Sequence, residues 1–254
     1  MTSDEDDAPF PTWDPHDPRV EAAMRDAEIG QLQLVYNSSN YVFVTDLAHP
    51  ELGRGTGIYK PRRGEQPLHD FPDGLYEREI AAFELSRLLG WDLVPPTIER
   101  IGPHGVGSMQ LFIDHDPNEH YFELRDRTVL DEQFVRFALF DLIANNADRK
   151  GGHLLLDPAG HVWGIDNGLC FHAQRKLRTV VWDYSGTGIP EAWLADIRRV
   201  CAAIEAEDDT TEAFRMRIAS REIAALLRRC AAVLEEPVLP EMYEDYRCVP
   251  WPMI

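Results

Sequence analysis

The spacing of apolar side chains changes once along this chain, near residue 113, and that change restricts the fold more than any other feature. Before it, apolar residues alternate or stand in short extended runs: Leu32, Leu34 and Tyr36, then Val42 and Val44, then Gly57-Ile58-Tyr59-Lys60, then Val94 to Ile98 and Gly107 to Ile113. Period-two spacing predicts strands, with Asn37-Ser38-Ser39-Asn40 as a polar turn and Pro61 as a stop. Helical spacing appears there in a short stretch (Val20, Ala23, Met24, Ile29) ending at Gly30, and in Tyr76 to Leu89, ending at Gly90. Beyond the acidic connector Asp114 to Asn118, Phe134, Phe137, Leu139, Leu142 and Ile143 predict a buried helix, and Pro190 to Leu234 reads as largely helical. One hairpin interrupts this part, His153 to Leu156 and Val162 to Ile165 around Asp157-Pro158-Ala159-Gly160. The expectation is an α+β chain of two lobes: a small antiparallel sheet with one helix over residues 18–113, then a mostly helical part over 114–254.

Charge and composition exclude several functions. The 254 residues carry 25 basic and 44 acidic side chains, a formal charge of −19. A field of that sign opposes general nucleic-acid binding and adhesion to anionic lipid. Residues 1–17 are rich in Asp, Glu and Pro and are expected to form a disordered acidic tail. Cys170, Cys201, Cys230 and Cys248 are widely separated, with no CxxC pair, and read as reduced thiols. The N-terminus lacks a signal-peptide pattern and no run of about 18 apolar residues occurs, so a cytoplasmic protein without stable membrane association is expected.

The residues with chemical potential lie where polarity is out of place. Asn145-Asn146-Ala147-Asp148-Arg149-Lys150-Gly151-Gly152-His153 separates the apolar helix from the hairpin. Alone, it reads equally as a hydrogen-bonded cap. Asp166 ends the second hairpin strand in Gly164-Ile165-Asp166-Asn167-Gly168, which alone is ordinary turn chemistry. A hairpin brings its two ends together, so the loop and the turn are expected to face one pocket. Phosphoryl transfer uses such a pair, one carboxylate to orient a hydroxyl and one to hold Mg²⁺ on nucleotide phosphates. Lys60 ends an apolar strand where a buried ammonium needs a partner. Glu77, Glu79 and Glu84 lie on the following helix, and Glu79 is the expected partner.

These residues resemble a known family. Tyr59-Lys60-Pro61, Arg78-Glu79-Ile80-Ala81-Ala82-Phe83, Val94-Pro95-Pro96-Thr97, Asn146-Ala147-Asp148-Arg149 and Ile165-Asp166-Asn167-Gly168-Leu169 together look like the phosphatidylinositol 3-/4-kinase-like branch of the protein-kinase fold. The likeness runs from about Gln31 to Leu194 and is strongest to the type II phosphatidylinositol 4-kinases and uncharacterised bacterial relatives. It implies ATP with Mg²⁺, or Mn²⁺, as cofactors. Lys60 would contact the phosphates and Glu79 would position it. Ser38 and Ser39 would cover the phosphates, and Gln110, Leu111 and Phe112 would lie near the adenine. Asp148 would be the catalytic carboxylate, Arg149 would order its loop or meet phosphate, and Asp166 would be the metal ligand. Where the family has Asn, five residues after Asp148, this chain has His153, whose imidazole favours softer ions than Mg²⁺.

The leading expectation is therefore a kinase-type phosphotransferase acting on a protein or small soluble acceptor. His172, Arg175, Lys176 and Arg178, after Asp166, form a basic cluster suited to an anionic acceptor. A phosphatidylinositol kinase is the second reading, weakened by the absence of a basic amphipathic helix or lipidation signal. A nucleotide-binding regulator without transfer activity is the third, motivated by His153 and a first turn without glycine. Nucleotidyl transfer would use the same residues. Pro240 to Ile254 is aromatic enough to dock on the chain itself or on a partner.

Overall fold

Residues 10–36 and 40–254 are described by a computed structural model, and the expected contributions of Ser38 and Ser39 lie outside them. The chain is α+β. Its helices are α1 (Val20–Asp26), α2 (Leu75–Leu89), α3 (Tyr121–Leu124), α4 (Asp131–Ala144), α5 (Glu191–Glu205), α6 (Glu212–Arg215) and α7 (Ser220–Glu235). The strands are β1 (Glu28–Leu34), β2 (Phe43–His49), β3 (Gly53–Pro61), β4 (Thr97–Gly102), β5 (Gly105–Leu111), β6 (Leu154–Leu156) and β7 (Val162–Gly164). Two compact units form: residues up to Ile80 together with Pro95–Asp114, and Ala81–Val94 together with His115–Ile254.

In the first unit five strands make one antiparallel sheet in the order β1-β2-β3-β5-β4. Its core gathers Met24, Leu47, Tyr59, Ile98, Met109 and Leu111, all nearly or fully excluded from solvent. Helix α1 stops at Asp26 because Ala27 adopts an extended backbone and Glu28 already pairs with Ala48. Ile29 and Gly30 therefore belong to β1 and not to the expected helix. Residues 10–17 of the expected tail lie among the described residues. The Trp13 indole is buried, lying where Gly55 has no side chain, and the Thr12 hydroxyl donates to the Phe112 carbonyl. Burial of an indole offsets part of the cost of ordering these residues.

In the second unit α4 is buried along most of its length, with Phe134, Phe137, Leu139 and Phe140 fully excluded from solvent. It ends where Asn145 takes the left-handed conformation, φ 56°, which Asn tolerates better than most residues. The segment Ala81–Val94 belongs here for visible reasons. The Leu93 carbonyl accepts from the Gly164 N–H at 2.7 Å, and the Trp91 indole N–H donates to Asp196 at 3.0 Å. The C-terminal segment docks on its own chain: Cys248 accepts from the Thr179 N–H at 3.0 Å, and Met253 accepts from the Gly151 N–H at 2.7 Å.

Candidate phosphotransfer site

In the first unit, β3 delivers Lys60 with its Nζ 2.5 Å from Glu79 Oε1 on α2. Glu79 is buried and the Lys60 side chain is 19% exposed, so each charge relieves the other's desolvation. Glu84 instead pairs with Arg87. The strand position of Lys60 depends on a glycine. Pro61 pairs with Gly107 in the β3–β5 register, and a Cβ at Gly107 would collide with the Lys60 carbonyl and the Pro61 backbone. Of the three residues expected near the adenine, Gln110 and Leu111 are bound into the sheet. Gln110 donates to Thr97 Oγ1 at 2.9 Å, and the Leu111 N–H donates to the Pro96 carbonyl at 2.9 Å. Phe112 is half-buried, and its N–H donates to the Thr56 carbonyl at 3.0 Å.

In the second unit the loop after α4 and the turn after β7 are held together by backbone and side chain. The Ile165 N–H donates to the His153 carbonyl at 3.0 Å and the Ala147 N–H to the Leu169 carbonyl at 2.9 Å. Arg149, fully buried, is the fastener. Its Nε reaches Asp141 Oδ1 at 3.1 Å, Nη1 the Ile165 carbonyl at 2.8 Å and Nη2 Asn167 Oδ1 at 2.7 Å. Asp141 also accepts from Asn146 Nδ2 at 3.0 Å and Thr179 Oγ1 at 3.0 Å. Arg149, expected either to order its loop or to meet phosphate, thus has no exposed surface and is hydrogen-bonded from three nitrogens to Asp141, Ile165 and Asn167.

This network holds Asp148, whose N–H donates to Asn146 Oδ1 at 3.0 Å. Lys150 Nζ lies 3.0 Å from Asp148 Oδ2. Burial raises the Asp148 carboxyl above its ordinary 3.8, Lys150 opposes that, and the negative charge of Asp166 adds to it. The two carboxylates therefore act on one another. Asp166 sits at φ 57°, sparsely populated for a non-glycine residue, with its side chain half exposed and His153 Nε2 3.4 Å from its Oδ2. The structure brings together Lys60 with Glu79, and Asp148, Asp166 and His153 with Lys150.

The basic cluster after Asp166 divides. Arg175 pairs with Asp245 at 2.5 Å, and Asn145 holds this segment by donating to the His172 and Gln174 carbonyls at 2.8 and 2.7 Å. Arg178 bears on Asp148 electrostatically, and its Nε is buried without a hydrogen-bond partner. Asp141, Asn167 and Lys150 are the residues that sequence reasoning left without a role. For Lys150 a signal exists: Lys60, Lys150 and Lys176 are the chain's only lysines, all its other basic residues being arginine. A lysine ammonium is a compact point charge, unlike the planar fork of an arginine.

The family model described as phosphatidylinositol 3- and 4-kinase matches residues 97–241. Protein Rv2133c of Mycobacterium tuberculosis (strain ATCC 25618 / H37Rv) is 38% identical over 267 residues, covering 91% of this chain and 94% of that protein. Among solved structures, hydra Fam20 with sugar has a TM-score of 0.51 at 16% identity, covering 85% of this chain and 86% of that one. The Golgi casein kinase with Mn/ADP bound has a TM-score of 0.52 at 13% identity, covering 90% and 80%. At these identities the likeness concerns the fold, and the fold is the protein-kinase-like one.

Proposed function

We propose, from the premise that this chain belongs to the phosphatidylinositol 3- and 4-kinase family, that it is an ATP- and divalent-metal-dependent phosphotransferase acting on a soluble acceptor hydroxyl, on a protein or a small molecule. The observation that carries this reading is the buried Arg149–Asp141–Asn167 network, which fixes the Asp148 loop against the Asp166 turn. Precise relative placement of two carboxylates is what transfer chemistry needs and what a simple helix cap does not.

The donor set suits a cation that arrives with phosphate. Among the described residues no group of three or more His, Cys, Asp or Glu side chains could hold a metal, whereas Asp166 and His153 offer two ligands side by side. Phosphate oxygens and water would complete the shell, and an imidazole in the set favours Mn²⁺ over Mg²⁺. When bound, the ion would supply positive charge to the phosphate oxygens.

The chain's own groups do the rest. Lys60, held by Glu79, takes phosphate oxygens of the nucleotide. Asp148 accepts the proton of the acceptor hydroxyl as that oxygen bonds to the γ-phosphorus and the bridging P–O bond to ADP breaks. Lys150 keeps the Asp148 carboxylate oriented, and Arg178 adds positive charge on the acceptor side, fitting an anionic acceptor. The net charge of −19 opposes approach to an anionic membrane, which favours a soluble acceptor over a lipid.

Incubation with γ-labelled and α-labelled ATP, under Mg²⁺ and under Mn²⁺, tests the reading, with Asp148→Asn as control. Transfer of the γ-label or release of ADP by the unmodified chain, reduced about 1000-fold in the variant, is expected. Transfer of the α-label would instead make it a nucleotidyltransferase. Tight ATP binding with neither product would make it a regulator, and labelling confined to phosphatidylinositol in vesicles would make it a lipid kinase.

A further inference from the structure

One concavity, confined to the second unit, is lined by none of the residues proposed for phosphate transfer. Its volume is about 400 Å³, the size of a site for a small organic molecule. Its apolar lining comes from Leu142 on α4, Leu177, Ala225 and Val233 on α7, and Tyr243.

The cationic lining is unusual for so acidic a chain. Arg229, mostly buried, donates from Nε to the Ile143 carbonyl at 2.7 Å, yet its Nη2 is buried with no hydrogen-bond partner. No ion pair to this guanidinium forms among the described residues, Glu222 acting on it only at longer range, and burial pushes its pKa down to about 10. A buried cation without a counter-ion is costly, and a bound anion would relieve that cost. Arg228 and Arg175 also line the cavity, as does Glu236. Arg175 is neutralised by Asp245 at 2.5 Å and lies over the Tyr243 and Tyr246 rings. Glu236 offsets one of the remaining two arginines. One positive charge is left, facing an apolar floor.

We infer that this cavity binds a small organic monoanion, a carboxylate on an apolar body, with the carboxylate against Arg229 and Arg228 and the apolar part against Leu177, Val233 and Tyr243. The inference does not depend on the phosphotransferase reading, because it uses none of those residues.

Calorimetric titration of the full chain with octanoate and with 4-phenylbutyrate tests it, with octanol and octylamine as uncharged and cationic counterparts. Saturable binding of one acid per chain is expected, at least about tenfold tighter than the alcohol or the amine. Arg229→Met should weaken it about tenfold or more. Because that variant alters a mostly buried side chain, Ala232→Trp supplies a second test: Ala232 lines the cavity from an exposed position, so a bulky ring there should obstruct entry without disturbing the core. Octanol binding as tightly as octanoate, acid binding unchanged by Ala232→Trp, or no saturable binding of either acid at millimolar concentration would each overturn the proposal.

Discussion

Asp148 is held at an energetic cost. Its folded carboxyl lies above the ordinary 3.8, so between that value and the folded one the native chain keeps a proton that the unfolded chain has lost. Stability therefore falls as pH rises through this window, the opposite of a salt-bridged carboxylate. Asp148→Asn should remove that slope and unfold at a higher temperature than the parent at neutral pH, as thermal melts across pH would show. Lys150→Met removes the one neighbour that lowers Asp148 by hydrogen bonding, and the acidic limb of the pH–rate profile should move upward. His153→Asn replaces an imidazole with an amide oxygen beside Asp166, and the ratio of Mn²⁺- to Mg²⁺-supported rates should fall by about tenfold. At this scale the partner of Lys60 is legible in the sequence, because an ammonium on an apolar strand demands a carboxylate and the next helix carries few. Asp141 is not legible. An aspartate within a buried helix announces nothing until its arginine, eight residues on, is seen to fold back on it.

At the level of elements, the position of Lys60 rests on close contact between β3 and β5. Gly107→Ala should force the strands apart at Lys60 and Pro61, costing about 1–3 kcal/mol and weakening nucleotide binding. A chemical melt and a nucleotide titration of the same variant would show both effects. In the second unit, Arg149→Met should cost about 3–5 kcal/mol, because it leaves Asp141 charged and buried without its partner. α2, α4 and the strands other than β4 are readable from periodicity, and the hairpin from its turn, whereas the strand expected at Val94 to Ile98 runs instead from Thr97 to Gly102, because the two prolines at 95 and 96 cannot donate to a ladder. The end of α1 is not, since Ile29 fits a helical face as well as a strand and only pairing across to β2 decides between them. The packing of Trp13 is equally hidden: one indole in an acidic, proline-rich stretch finds a seat made by the absence of a side chain at Gly55.

Across the whole molecule, net charge governs what the chain meets before any contact is made. Sedimentation with phosphatidylserine vesicles at physiological salt should leave it in the supernatant, and no helix among the described residues is long and apolar enough to cross a membrane. We propose that Lys60 and the Asp148 loop serve the same nucleotide, and the scarcity of lysine makes this open to direct measurement. An acyl-phosphate derivative of ATP acylates amines close to the phosphates, and each of the three lysines can be followed by peptide mass spectrometry. Labelling of Lys60 and Lys150 that excess ATP suppresses, with Lys176 left indifferent to ATP, is the expected result. Labelling that ATP does not suppress, or that ATP suppresses at Lys176 alone, would contradict the account.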